Sequence, residues 1–489
     1  MNIPAPGITI LGLGPGSPDL LTRQAWELLE SVDEIYVRTS LHPTVVGFPA
    51  DLVVHSFDHL YESEVDFRSV YAKIVENVLA LGRTPKGVVY AVPGHPFIAE
   101  SSVLEIVKQA RVEHLPIEIV EGLSFLEPVL SALGVDPLPR ITVVDALELV
   151  NAHHPLSPPD APVLIAQFYS KLIASEVKLT LMEVYPDEHP VMLVDAAGTP
   201  EMVVEEVALY EVDHSDNISL LTSLYVPALG EKTSFESFQE LVAHLRSPEG
   251  CPWDREQTHQ TLRRNLLEET YEALEAIDAN NADVMREEFG DLLLQIVLHA
   301  QIASEFGEFT MEDVIRGIHT KLIYRHPHVF GEIEVDGSGA VTRNWEQLKA
   351  AERNNKGIHD KGLLDGVPLS LPALAQAEAF QRRAARVGFD WESMEGVLEK
   401  VIEEVTEVRG AVNTTEYFNE IGDLLFALVN LARWLEIDPE SALREANQRF
   451  RQRFAYIEKK ARQEECNLNE VTLTMMDSWW NEAKKSRGH

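Results

Sequence analysis

Two short acidic motifs occur twice in this chain, in the same order. "EETYE" (268–272) is followed by "EFGD" (288–291), and "EEVTE" (403–407) by "EIGD" (420–423). Helical side chains advance about 100° per residue, so Glu268, Glu269 and Glu272 share a sector of roughly 100°, and Glu288 and Asp291 lie within about 60°. The second copy repeats the arrangement with Glu403, Glu404, Glu407, Glu420 and Asp423. If the two helices of a copy run antiparallel, five carboxylates converge on a small volume. Like charges so placed repel unless a cation sits among them. All-oxygen ligands without cysteine suit a hard divalent cation, Mg²⁺ or Mn²⁺. These ten residues are the candidate metal ligands.

Hydrophobic periodicity predicts the helices that hold them. After Asp291 the run "LLLQIVLHA" is apolar on every side, as in a buried helix. Glu288, Asp291, Gln295 and His299 thread one polar stripe through it at steps of three and four. The second copy has Ala427 and Leu431 at the last two positions, so Gln295 and His299 read as core hydrogen bonders rather than ligands. Gaps of 15 and 12 residues separate the paired motifs, which predicts a helix, a turn and a second helix in each copy. The flanks match as well: "GCPWD" (250–254) beside "GFDW" (388–391), "KLIYR" (321–325) beside "RFRQR" (449–453), and "NWEQLK" (344–349) beside "WNEAK" (480–484). A series in one order, about 130 residues apart, marks a duplication.

The whole chain has 489 residues, a length that allows for about three domains. Its net charge of −38 argues against a broad nucleic-acid surface, yet leaves room for small phosphate ligands beside bound Mg²⁺. No apolar run reaches the roughly 18 residues that cross a membrane. The first residues lack the charged and apolar regions of a secretion signal, and Cys251 and Cys466 are too few for a disulfide scaffold or a zinc cluster. A cytoplasmic protein with neither nucleic-acid nor membrane partner is the expectation.

Residues 1 to 225 differ in texture from the rest. "ITILGLG", "GVVYAVPG", "IEIVEG", "ITVVDAL", "PVLIAQF", "PVMLVDAAG" and "NISLLTSLYVP" read as strands, with helical patterns such as "LTRQAWELLESV" and "SSVLEIVKQA" between them. That alternation predicts an α/β domain. Amphipathic helices take over beyond a boundary near 226–235, where Thr233 or Ser234 offers an N-cap. The Gly12-Leu13-Gly14-Pro15-Gly16 turn lies between a strand and a helix, but Pro15 spoils the dinucleotide fingerprint, so NAD is not expected.

The paired EExxE and ExxD motifs, with "GCPWDREQTH", "RHPHVFGE" and "RRAARVGFDW" around them, resemble the MazG-type nucleoside triphosphate pyrophosphohydrolases. The resemblance spans roughly residues 233–489. It implies two all-α domains, 226–360 and 361–489, in which Mg²⁺ helps split an NTP or dNTP into NMP and pyrophosphate. It also implies cations for the triphosphate: Lys321, Arg325 and Lys349 in copy one, and Arg382, Arg383, Arg386, Arg449, Arg453 and Lys484 with Trp480 in copy two. The denser basic set marks copy two as the main catalytic site, formed by Glu403, Glu404, Glu407, Glu420 and Asp423 with Arg386, Arg453 and Lys484. A homodimer through the helical domains is expected.

The glycine-rich opening, "YAVPGHPFIAESS" (90–102), "VEGLSFLEPVLSALGVD" (120–136) and "DAAGTPEM" (195–202) resemble the loops of the tetrapyrrole methylase family over about residues 7–225. This implies an S-adenosylmethionine cleft lined by Gly94, His95, Pro96, Ser101, Ser124, Ala197 and Gly198. Gly12, Gly14 and Gly16 would lie on the acceptor side. The second loop departs from the family's usual Gly-Asp-Pro by carrying Gly-His-Pro. The alternative reading makes the chain chiefly a methyltransferase, with the helical half as a dimerisation and regulatory scaffold.

Overall fold

Strands buried on both faces need apolar residues at successive positions, and the first half of the chain supplies them. The computed structural model describes residues 6–64, 66–230, 232–331 and 362–485, with isolated positions between 333 and 348. It divides into two compact units, Met1–Arg255 and Glu256–His489.

The first unit is α/β. Its strands are β1 (Ile8–Gly12), β2 (Glu34–Val37), β3 (Val53–Ser56), β4 (Val88–Val92), β5 (Ile117–Val120), β6 (Thr142–Asp145), β7 (Val163–Ala166), β8 (Pro190–Asp195), β9 (Val203–Ala208) and β10 (Ser223–Val226). Its helices are α1 (Arg23–Ser31), α2 (Asp58–Ser63), α3 (Phe67–Gly82), α4 (Ser101–Val112), α5 (Leu126–Leu133), α6 (Ala146–Val150), α7 (Lys171–Met182) and α8 (Phe235–Arg246). A short α9 (Pro252–Glu256) follows.

One sheet, ordered β3-β2-β4-β1-β5, is parallel throughout. Ile8, Ile10, Val88, Tyr90 and Val92 face α3 and α4 through Ile74, Val78, Val103 and Ile106. The alternate residues Leu11, Val89 and Ala91 face Ala25, Leu28 and Leu29 of α1. The second sheet, β6-β7-β10-β8-β9, is mixed, with only β6 and β7 parallel. Val163, Ile165 and Leu193 pack on α7, and Leu164, Val194 and Tyr225 pack with Val129 of α5.

Seven of these strands are the runs read from the sequence; β2, β3 and β9 are additional. The edge strands β3 and β9 each have one sheet neighbour and much exposed surface, so they lack a continuous apolar run. Ser234 is the N-cap of α8, accepting from the Ser237 N–H. Its hydroxyl donates to Asp160 Oδ2 at 2.7 Å, so α8 continues the α/β unit past residue 225.

The second unit is helical. It contains α10 (Arg263–Asp278), α11 (Ala282–Glu305), α12 (Met311–Arg325), α13 (Pro327–Phe330), α14 (Ala373–Ala385), α15 (Met394–Gly410), α16 (Thr414–Trp434), α17 (Pro439–Gln463) and α18 (Leu473–Lys485). The duplication appears as two hairpins, α10–α11 and α15–α16, each turned by three residues. Asn281 and Asn413 are the N-caps, each accepting from two backbone N–H groups of the helix it opens. Glu288 and Glu420 stand at the same distance from these caps. The unequal motif spacing comes from α10, which runs about one turn further past Glu272 than α15 does past Glu407.

The expectation of all-round burial for the second helix is corrected. Leu293 and Ile296 on α11 are 37% and 42% exposed, and Leu425 on α16 is 50% exposed. α11 packs on α10 and α12, and α16 chiefly on α15 and α14, so the remaining side of each stays open among the described residues.

The caps yield a prediction. Asn413→Ala should cost about 1 kcal/mol of stability and Asn413→Gly only a few tenths, because the backbone freedom of glycine suits the cap. Equal losses in chemical denaturation would show that capping is not what Asn413 contributes.

Candidate functional site

The hairpins bring three glutamates of each copy together. Glu269, Glu272 and Glu288 offer oxygens within 4.8 Å of one another, and so do Glu404, Glu407 and Glu420. Burial raises the pKa of Glu269, and Asp291, Glu272 and Glu288 add to the rise. Glu288 is raised by burial and then by Glu272 and Asp291. In copy two, Glu420 is raised by burial and then by Glu407, Asp423 and Glu404. Asp291 and Asp423 thus belong to each cluster's field while lying outside its tightest triplet. Glu268 and Glu403 are exposed, and Glu403 accepts from Lys400 at 3.0 Å.

The copies differ in how this charge is balanced. Glu404 is 3% exposed, with one carboxylate oxygen at 2.7 Å from Lys400 Nζ and the other without a hydrogen-bond partner. Hydrogen bonds to Glu404 and Glu403 hold the Lys400 ammonium well above its usual range. Asn265 takes that place in copy one. Among the described residues no Lys or Arg forms an ion pair with Glu269, Glu272 or Glu288, so that cluster has only like-charged company.

The predicted basic groups are spread over several elements. Arg382 pairs with buried Glu378 at 2.7 Å, and Arg383 donates to the Leu363 and Gly366 carbonyls, clamping the loop before α14. Arg386 follows the end of α14, and Arg449 pairs with Glu445 at 2.9 Å. Arg453 lies over the Trp480 ring at 5.4 Å, where α17 meets α18, and Lys484 is in the last turn of α18. Lys321 and Arg325 lie on α12, whereas Lys349 falls outside the described residues.

In the α/β unit, four loops meet at the carboxyl end of the parallel sheet. Gly14 and Gly94 exchange backbone hydrogen bonds of 3.2 and 2.8 Å, with φ of +72° and +66°. A Cβ on Gly12 would lie 2.6 Å from Gly122 N and 2.8 Å from both Gly94 O and Pro96 Cδ. Only glycine permits that crossing. Gly198 approaches Pro15, and Gly16 approaches Thr199. Ser124 and Ala197 are buried, with Ser124 Oγ donating to Glu127 at 2.6 Å. His95 turns back to accept from the Phe97 N–H through Nδ1, and Ser101 is exposed.

Comparison with known proteins identifies both halves. The family of tetrapyrrole (corrin/porphyrin) methylases matches residues 7–213, and the MazG nucleotide pyrophosphohydrolase domain matches residues 257–330. YabN of Bacillus subtilis is 42% identical over 98% of both chains. The chain belongs to the YabN family. Its second half is 48% identical to the nucleoside triphosphate pyrophosphohydrolase/pyrophosphatase MazG of Thermotoga maritima, over 51% of this chain and 95% of that one. The uroporphyrin-III-C-methyltransferase from Thermus thermophilus is 22% identical over 46% of this chain and 93% of that chain, with a TM-score of 0.36. This YabN-family chain therefore joins an α/β methylase-like domain to a helical MazG region.

Some residues of this arrangement escaped sequence reasoning. Lys400 carries a weak signal, a lysine four residues before Glu404. Arg38 and Glu100 form a buried ion pair at 2.5 Å, extended by Glu100 to Ser102 and by Ser102 to Tyr90. His42 beside them is pushed down to about 4 by burial and by Arg38. Nothing in the spacing of these residues announces the pairing.

The raised glutamates fix the sign of a pH effect. A carboxyl whose folded pKa is raised stabilises the fold below its unfolded value, near 4.5, and that contribution is lost as pH rises through the folded value. Metal-free protein should therefore lose stability as the pH rises above the unfolded value near 4.5 and through the raised folded values. Glu420→Gln should melt higher than wild type at pH 8, by a margin that shrinks toward pH 5. A mutant that melts lower at both values would assign Glu420 a structural hydrogen bond instead.

Proposed function

We propose that the helical half is a divalent-metal-dependent nucleoside triphosphate pyrophosphohydrolase that clears NTPs or dNTPs from the nucleotide pool of the cytoplasm. The observation that carries this reading is the duplicated carboxylate triplet on a two-helix hairpin. Its geometry fits a hard cation: three oxygens within 4.8 Å, mutually raised pKa values, and a buried Glu404 oxygen with no partner. Glu269, Glu272 and Glu288 with Asp291 would hold Mg²⁺ or Mn²⁺ in copy one, and Glu404, Glu407 and Glu420 with Asp423 in copy two. Glu268 and Glu403 are outer members of the same acidic sets. Such a cation neutralises triphosphate charge and makes a water more acidic.

The chain's own groups supply the rest. A carboxylate of the copy-two acidic set that does not hold the cation accepts the proton of the water that attacks the α-phosphorus. The bond from that phosphorus to the bridging oxygen breaks, and pyrophosphate leaves. Lys400 adds a cation beside the copy-two cluster where copy one has Asn265, and Arg386, Arg453 and Lys484 are further candidates for the phosphate charge. Arg382 and Arg383, held by Glu378 and by loop carbonyls, belong with Arg449 and Trp480 to the nucleotide-binding set of copy two in this reading. Lys321, Arg325 and Lys349 serve copy one. Copy two is accordingly the principal site of turnover. The open apolar faces of α11 and α16 support a homodimer through the helical half.

The α/β half binds S-adenosylmethionine in this reading, with Gly94, His95, Pro96, Ser101, Ser124, Ala197 and Gly198 on the donor side and Gly12, Gly14 and Gly16 toward the acceptor. Support comes from a backbone-lined meeting of loops at the carboxyl ends of parallel strands, where open α/β sheets bind ligands. A bound donor supplies an already activated methyl group, so the loops need only position it.

A panel of NTPs and dNTPs incubated with the full chain in Mg²⁺ should give NMP and pyrophosphate by phosphorus NMR, and none in EDTA. NDP with orthophosphate, or turnover that survives EDTA, would contradict the assignment. Replacing Glu404 and Asp423 by Ala should lower turnover on the order of 100-fold, and the same change at Glu269 and Asp291 by less. The reverse order would move the principal site to copy one.

A further inference from the structure

Copy one has a feature that the hydrolytic reading does not use. An apolar recess of about 330 Å³ opens between α10, α11 and α12, lined by Leu266, Ile296, His299, Ala300, Phe309 and Val314. Its size lies at the small end of ligand pockets. His299 is its one polar wall. The Nδ1 atoms of His299 and His259 are 2.8 Å apart, and their rings are stacked 5° from parallel with centroids 5.1 Å apart. His299 Nε2 is buried without a partner, and so is Oε1 of Gln295 one turn earlier, in a side chain 5% exposed. Buried polar side-chain atoms are nearly always hydrogen-bonded, so two orphans on one helix face are uncommon in a folded protein.

Position adds a second argument. Glu288, Asp291, Gln295 and His299 form one stripe along α11, so His299 lies about 12 Å along the axis from Asp291, and Gln295 about 6 Å. Because α10 runs antiparallel, Leu266 lies beyond Glu269 in the same direction. The recess is thus offset from the carboxylate cluster along the hairpin by about the length of a nucleoside.

We propose that this recess is the nucleobase pocket of copy one, with Phe309 and the aliphatic wall against the base faces and His299 at its polar edge, backed by the buried Gln295 one helical turn away. The inference rests on the nucleotide reading of the carboxylate cluster. The His259 contact fixes the His299 ring and couples its tautomer to that of His259: when His259 donates, His299 presents a donor at Nε2, and when His259 accepts, an acceptor. Copy two has Ala427 and Leu431 at the matching positions, so it lacks this reader and selects bases differently.

The test uses the full-length chain carrying Glu404→Ala and Asp423→Ala, which leaves copy one as the binding site. Non-hydrolysable α,β-imido analogues of the four dNTPs, and inorganic tripolyphosphate, are titrated calorimetrically in Mg²⁺. At least one nucleotide should bind about tenfold or more tighter than tripolyphosphate. His299→Leu should erase most of that margin and flatten the base preference without changing tripolyphosphate affinity. Gln295→Ala should do so in part. Both variants install the residue that copy two already carries on the corresponding helix, so folding should survive. Nucleotides that bind no tighter than tripolyphosphate, or a margin untouched in both variants, would overturn the pocket while leaving the hydrolase reading intact. A shift in sedimenting mass with an unchanged base preference would also overturn it and assign the recess to a subunit contact. Binding of neither nucleotide nor tripolyphosphate would remove the nucleotide reading of copy one itself.

Discussion

Three carboxylates held within 4.8 Å of one another by a short helical hairpin are the constraint on which the helical half depends. Nothing in helix propensity favours such an arrangement, and the mutual field makes each ionised group less stable. The fold enforces it with a three-residue turn, an asparagine cap and an antiparallel pair of helices, and it does so twice. The copies resolve the charge differently. Copy two inserts Lys400 against its most buried glutamate, whereas copy one has Asn265 at that place and, among the described residues, no ion pair to its three glutamates. One architecture therefore carries two electrostatic states, which gives a physical ground for unequal roles in turnover and binding.

The α/β half works by an opposite principle. Its candidate site is made of backbone, brought into contact at Gly12, Gly94 and Gly122, where a single Cβ would collide with the main chain of the next loop. In the same unit Arg38 and Glu100 pair with each other at 2.5 Å. A backbone-lined surface of this kind suits the positioning of a ligand, whereas the carboxylate clusters concentrate charge that calls for a counter-ion. The two halves of the chain thus differ in how they use main chain and side chains.

Much of this was legible before any coordinates. The acidic motifs, their duplication, the α/β-then-helical order and most strands follow from spacing and periodicity. Other features did not, for identifiable reasons. The edge strands β3 and β9 carry polar residues because half their surface meets water. The apolar runs of α11 and α16 gave no sign that one side would remain open, since periodicity records hydrophobicity and not what covers it. Gln295 and His299 read as core hydrogen bonders, yet one atom of each lacks a partner, because a hydrogen-bond partner can be located only in three dimensions. Lys400 was overlooked for a related reason: lysines near glutamates are common, and only burial of Glu404 makes this one significant. The charge of Arg382 and Arg383 suggests phosphate ligands, and it does not reveal the partners each already has in Glu378 and the Leu363 and Gly366 carbonyls.

The central claim is that the paired clusters are metal sites. Calorimetric titration of the metal-free full chain with Mn²⁺ tests it most directly, compared across wild type, Glu269→Gln, Glu404→Gln and the double variant. The account predicts two classes of site in the wild type, one lost in each single variant and both lost in the double. Binding that is absent from the wild type, or unchanged in the double variant, would contradict it.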